Sequence, residues 1–345
     1  MSRRDALARM LRLRTRKQRR RGGILMYHCI SEEIYDPWAI CVSPNAFDDQ
    51  MAVLAQARAA VDLANFAGSD AYTRTGSQLA VTFDDGYVDN LVAALPVLER
   101  YEIPATIFVI GNSVGRTREF WWDGLQRAVP SGEPLPDRLD FPFGKGRRTF
   151  TLNEGPGDSA TNARWRADSG EITTSRQALF RALWDAIVVL EPTEQDDAID
   201  HVLAWGGRMA TTPTSRVALD AEQFAQLADH PLITLGSHTL DHVSLTDLPA
   251  ERQRTQISAG HRKIEELSGR PITRFSYPYG RFDDTARAAV RELGIDVACT
   301  SVPMPAIGSD DPCALPRVQA TEMDGDQFTR WLREDYGLIR GQLLQ

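Results

Sequence analysis

Apolar and polar positions follow two different periods along the chain, and the switches between them mark the elements. Seven short, mostly apolar runs, at 24–28, 79–83, 105–110, 232–235, 273–277, 295–300 and 314–319, have the length of buried strands. Between them, apolar residues recur three or four apart. This spacing predicts a helix from Pro44 (Phe47, Met51 and Leu54 on one face), one over 88–101 (Leu91, Leu95, Leu98), and others over 250–268 and 283–293. Strands alternating with helices imply a parallel sheet with crossover helices. About seven strands suit a distorted (β/α)7-type barrel better than an open sheet.

The alternation breaks in the middle. The stretch between the strand at 105–110 and the one at 232–235 is longer than one or two β/α units need. The expected division is therefore a barrel from 22–115 and 221–345, a largely helical insertion at 116–220, and a separate arm at 1–21. Within the insertion, 130–158 is rich in proline and glycine, with a hairpin expected at 139–152. Helices are predicted at 175–190 and 194–205. Five of the seven tryptophans fall there. Trp184 and Trp205 fit helix core positions. Phe120, Trp121 and Trp122 come soon after a barrel strand, so they either stack on sugar faces or pack the insertion.

Chemistry enters at the end of the second strand. The run Leu79, Val81, Phe83 leads directly into Asp84, Asp85 and Gly86. Burying that strand leaves two carboxylates at its C-terminal end, the rim where α/β folds keep their chemistry. Adjacent residues there point in different directions, so one acid can bind a metal while the other handles protons. An isolated Asp-Asp-Gly is more often a surface turn. What tips the balance is downstream: the apolar run 232–235 is followed by Ser237, His238 and His242. Two histidines four apart on a helical turn reach one ion, and His/His/Asp leaves coordination positions open, the catalytic arrangement.

Thr82-Phe83-Asp84-Asp85-Gly86 and Ser237-His238 through His242 resemble the first two motifs of the polysaccharide deacetylases, the NodB-like carbohydrate esterases. Phe275-Ser276-Tyr277-Pro278-Tyr279-Gly280 resembles, more loosely, the third. The likeness covers roughly 24–115 and 220–320. It implies a NodB-type barrel that removes N-acetyl groups from an N-acetylated sugar or polysaccharide. It also implies that Asp85, His238 and His242 hold a divalent metal, with zinc the first expectation. Asp84 would be the general base, and the backbone N–H of Tyr279 would help bind the oxyanion. In one branch of the family a Tyr-His at the first strand replaces a late histidine. Here Tyr27-His28 is present and the late run reads Leu315-Pro316-Arg317, so His28 is the implied general acid. Many members carry arginine where this chain has Ser276; Arg317 and Arg274 are the candidates to replace it.

A net charge of −8 argues against a nucleic-acid-binding body. Four cysteines without a C-x-x-C pair fit a reduced compartment. Residues 1–21 carry nine arginines and one lysine against the single acid Asp5. That arm reads either as a solvated segment or as one attracted to an anionic membrane surface or partner. It does not resemble a secretory signal, and no apolar run approaches membrane-spanning length, so a cytoplasmic place, at or away from the membrane surface, is expected. Two other function classes remain open: another small or cyclic amide hydrolase on the same barrel, and a weakly catalytic carbohydrate-binding assembly protein.

Overall fold

Seven parallel strands form a curled, barrel-like sheet in which the first six pair in chain order and the seventh pairs with the first. In this computed structural model, residues 21–64, 78–143, 146–155, 157–168, 170–208, 216–307 and 310–338 are described. The expectations for the basic arm therefore fall, apart from Arg21, outside the described residues. The barrel strands are β1 (Arg21–Tyr27), β2 (Leu79–Phe83), β3 (Ala105–Val109), β4 (Ile233–Ser237), β5 (Arg274–Ser276), β6 (Val297–Cys299) and β7 (Val318–Gln319). β1 to β6 pair in chain order, and β7 returns to β1. Between β6 and β7 the sheet is thin. Leu315 pairs with Cys299 while Val318 pairs with Leu25, so the last run serves two neighbours in two pieces. Pro316 lies between the pieces and has no N–H for a ladder.

The core reflects this composition. All five residues of β2 and all five of β3 are buried, as expected for strands covered on both faces. The helix Pro44–Ala57 starts at a Ser43 cap with proline in its first turn. It buries Phe47, Met51 and Leu54 fully, the stripe that its spacing predicts. Phe47 packs 5.2 Å from Tyr27 and 5.8 Å from Phe83. The predicted helix over 88–101 is interrupted: Asn90–Ala94 forms a wide turn before Leu95–Tyr101 becomes regular. The helices Ala250–Ser268 and Asp284–Glu292 match their predicted spans closely. Two of the described helices outside the insertion escaped the periodicity, Ala221–Asp229 and Gly325–Arg330. Each opens on an Asp-x-x-Gln capping box that the sequence does contain.

The chain divides into two compact units. One is built from Met1–Glu32, Ile40–Arg116 and Ala218–Gln345, the other from Glu33–Ala39 and Thr117–Val217, each over its described residues. The short piece 33–39 belongs to the second unit because its backbone is tied there. The Pro37 carbonyl accepts from the Ala167 N–H at 2.7 Å, and the Asp36 carbonyl from Arg166 at 3.0 Å. The hairpin consists of Arg138–Phe143 and Gly146–Thr151. Helices Trp121–Ala128, Asp158–Arg164, Ser175–Ile187 and Pro192–Trp205 make up the rest. Trp121 and Trp122 are buried; Trp121 lies 4.6 Å from Trp184, and Trp122 stacks on Phe120 at 4.6 Å. These rings are core of the insertion.

Among the described residues no helix is long and apolar enough to cross a membrane. All four cysteines are buried and unbonded to one another.

Candidate functional site

Because the strands are parallel and in register, their C-terminal ends meet at one mouth. β2 ends at Phe83 and delivers Asp84 and Asp85; β4 ends at Ser237 and delivers His238; β1 ends at Tyr27 and delivers His28. The turns beyond these strand ends are unusual. Asp85 (φ 75), His242 (φ 55) and Tyr279 (φ 57) all adopt left-handed backbone conformations, and Gly86 (φ 76) comes directly after the acid pair. Side-chain-bearing residues seldom accept this geometry, and such outliers gather at functional sites.

Asp84 and Arg317 form the most constrained pair. Arg317 is 1% exposed, and its guanidinium meets Asp84 through two parallel bonds, Nη1 to Oδ1 at 2.7 Å and Nη2 to Oδ2 at 2.6 Å. Nη2 also donates to Ser276 Oγ (2.7 Å), Nη1 to Thr82 Oγ1 (3.1 Å) and Nε to the Thr300 carbonyl (3.0 Å). Ser276 Oγ in turn lies 3.3 Å from Asp84 Oδ2. Of the two arginines suggested by sequence, Arg317 is the one at the acid. Arg274 sits at the start of β5 and binds Thr273 and, at 3.1 Å, Asp296. Burial opposes ionisation of Asp84, but Arg317's charge and hydrogen bonds overcome it and hold the carboxyl well below the usual range.

Asp85, His238 and His242 bring one ligand atom each within 4.8 Å of one another. His238 Nδ1 donates to the Ser276 carbonyl at 2.7 Å, which leaves Nε2 with its lone pair toward the carboxylates. That Nε2 is 3.5 Å from Asp85 Oδ1, and His242 Nε2 is 3.4 Å from the same oxygen. These separations are long for hydrogen bonds. They match two donors each about 2.1 Å from one ion at tetrahedral angles, about 3.4 Å apart. The donor set therefore fits a divalent metal. One expectation needs correction: residues 238–242 do not form a helical turn. His238 leaves a strand, Thr239 has φ 62 and His242 φ 55, so an irregular left-handed turn brings the rings together.

Burial lowers the pKa of His238, and that of His242 well below 6.5. A folded-state pKa below the unfolded one means that neutral histidine stabilises the fold above pH 6.5, a contribution lost as pH falls. Thermal melts of the metal-free protein should therefore show a melting temperature declining steadily below pH 6.5. A flat profile down to pH 5 would contradict the burial of these rings.

His28 is half-buried at the same mouth, and its Nδ1 has no hydrogen-bond partner among the described residues. Burial lowers its pKa to about 4, while the nearby Asp84 pulls it up and Arg317 and His238 push it down. Its backbone carbonyl accepts from Asn90 Nδ2 at 2.8 Å, a tether that sequence reading missed because nothing in Asp89-Asn90 signals it. The Tyr279 ring packs 4.6 Å from His242, edge to face. His230 pairs with Glu99, and within the second unit His201 meets the Asp140 carbonyl. His261, within Ala250–Ser268, is buried.

The sequence model of the polysaccharide deacetylase family matches residues 71–135 and 197–298. A curated Bacillus subtilis protein named "Putative polysaccharide deacetylase YxkH" is 21% identical over 253 residues, 73% of this chain and 55% of that protein. The match thus spans about half the length of that relative. Among solved structures, IcaB from Ammonifex degensii superposes with a TM-score of 0.54 at 18% identity, covering 91% of this chain and 97% of that one. A polysaccharide deacetylase from Bacillus cereus gives 0.53 at 16%, covering 90% and 68%. At such identity the likeness speaks to the fold, a NodB-type (β/α) barrel. The family's sequence match runs through the strand that delivers both acids and the turn that carries both histidines, so over the residues that build this site the chain is similar to the polysaccharide deacetylases.

Proposed function

We propose that this protein is a metal-dependent hydrolase that removes N-acetyl groups from an N-acetylated sugar or polysaccharide. The observation that carries the reading is the convergence of Asp85, His238 and His242 beside a carboxylate, Asp84, that Arg317 keeps ionised. In this reading Asp85, His238 and His242 hold a divalent cation, with zinc as the first candidate. Bound there, such an ion supplies Lewis acidity toward an amide carbonyl and an attacking water.

The chain's own groups supply the rest. Asp84 is the general base: it is ionised, fixed in one orientation by Arg317 and Ser276, and adjacent in sequence to the ligand Asp85. The water's proton passes to its carboxylate. The backbone N–H of Tyr279, set by that residue's left-handed conformation, helps hold the oxyanion. His28 donates a proton to the departing amine. Because burial lowers its pKa to about 4, the imidazole starts neutral near pH 7 and must be charged within the catalytic cycle before it donates.

The decisive measurement is acetate release from N-acetylhexosamine glycans together with metal analysis of the purified protein. His238→Ala and His242→Ala should lose metal and activity in parallel. Full metal occupancy in either variant would remove that residue from the ligand set. Absence of acetate release across such glycans, with metal bound, would move the protein to a different amide or to a binding role.

A further inference from the structure

Glycine in the middle of a helix is unfavourable compared with alanine, so it asks for a reason. Gly260 stands inside the helix Ala250–Ser268, and its reason lies outside that helix. A Cβ there would fall 2.2 Å from the Thr239 carbonyl carbon and 2.5 Å from the Leu240 nitrogen. The helix backbone therefore touches the turn that joins His238 to His242. One turn earlier, Gln256 grips the same segment. Its carbonyl accepts from the Leu240 N–H at 3.0 Å, and its Oε1 accepts from the Asp241 N–H at 3.1 Å. Its Nε2 donates to Asp241 Oδ2 at 2.7 Å. The other Asp241 oxygen accepts from Asn112 Nδ2 at 2.7 Å. On that side the backbone adds two bonds, Gly111 N–H to the Thr239 carbonyl (3.0 Å) and Asn112 N–H to the Leu240 carbonyl (2.9 Å).

The turn is thus held from two directions, by the exit of β3 and by the helix. Thr239 and His242 within it both have positive φ, which persists only where the surroundings over-determine the backbone. We propose that Gln256, Asp241 and Gly260 are positioning residues for metal binding: they hold residues 239–242 in the left-handed form that brings His242 to Asp85 and His238. The inference rests on the ligand assignment above. Asp241 is the hinge of the network, since its carboxylate links an amide on each side and its N–H is also bound. Within the turn the His242 N–H donates to Thr239 Oγ1 at 3.0 Å, and the Asp241 link ties that local turn to β3's exit and to the helix.

The test is a charge-conserving swap in the full-length protein, read by zinc affinity in competition with a chromophoric chelator. Gln256→Glu alone sets one carboxylate against another, and Asp241→Asn alone sets one amide donor against another. Each single variant should bind zinc about 10–100-fold more weakly. With both substitutions together, the amide introduced at position 241 donates to the carboxylate introduced at 256, while its carbonyl oxygen still accepts from Asn112. The double variant should recover most of the affinity, along with the visible absorption intensity of the cobalt-substituted protein. Gly260→Ala should weaken zinc binding over the same range without rescue. A merely structural role would lower the melting temperature of the metal-free protein and leave these affinities alone. Wild-type affinity in the single variants, or a double variant no tighter than the weaker single, overturns the inference. His242→Ala separates the two levels. If it binds zinc as well as the wild type, the ligand assignment fails and the inference with it; if it alone loses zinc, only the inference fails.

Discussion

Replacing Arg317 by methionine should destabilise the protein by about 3–5 kcal/mol and abolish turnover, because it strands a buried carboxylate without its counter-charge. Arg317 and Asp84 are 1% and 3% exposed, so water cannot take over the lost bonds. Five side-chain donations from one guanidinium also tie together four residues of the barrel interior, Thr82, Asp84, Ser276 and Thr300. Denaturant unfolding measures the loss. Adding Asp84→Asn to Arg317→Met removes the unpaired charge, so part of the stability should return while activity does not. A single-variant loss below about 1 kcal/mol would mean that the pair contributes no more than a surface ion pair does.

His28→Gln should lower kcat by about 10²–10⁴-fold, the usual effect of removing a general acid, while metal content stays at the wild-type level. A second readout is independent of turnover. With a folded pKa of about 4 against 6.5 when unfolded, His28 stabilises the fold above pH 6.5, and this contribution disappears as pH falls toward 4. The metal-free His28→Gln protein should therefore lose less stability between pH 7 and pH 4 than the wild type; His238, His242 and His261, whose pKa values burial also lowers, contribute to the remaining decline. Near-wild-type kcat in this variant would leave the proton donor unassigned. Asp84→Asn should give comparable losses in kcat with metal retained, whereas Asp85→Asn should weaken metal binding, which separates the two neighbouring acids by role.

The relation between Ser276 and Arg317 shows how a closed barrel relaxes sequence rules. The family resemblance implies an arginine at the position of Ser276, on β5. Here the guanidinium that clamps Asp84 comes from the segment before β7, and Ser276 receives one of its hydrogen bonds instead. Every strand of a small barrel contributes to one interior, so a long side chain from another strand reaches the same acid.

The sequence determined most of the strands and the identity of the chemical groups. Apolar runs of strand length, interrupted by helical spacing, specify a parallel α/β fold because helices must cover both strand faces, and the count of about seven strands favours a barrel over an open sheet. The acids and histidines stand right after such runs, and a strand buried to its last residue leaves the next side chains at the rim. The points left open by sequence depended on long-range pairing. Arg274 and Arg317 are equivalent as residue types; the closure of β7 onto β1 put one at Asp84 and left the other at the opposite end of β5. The His238–His242 turn reads as helical from its spacing, yet it is left-handed, because Gln256, Asn112 and the bare backbone at Gly260 grip it from elements distant in sequence. His261 looks like any polar position on a helix and is buried by its packing neighbours. Local periodicity records which face of an element is apolar, but a buried polar group is placed by partners far along the chain, and only the folded barrel brings those partners together.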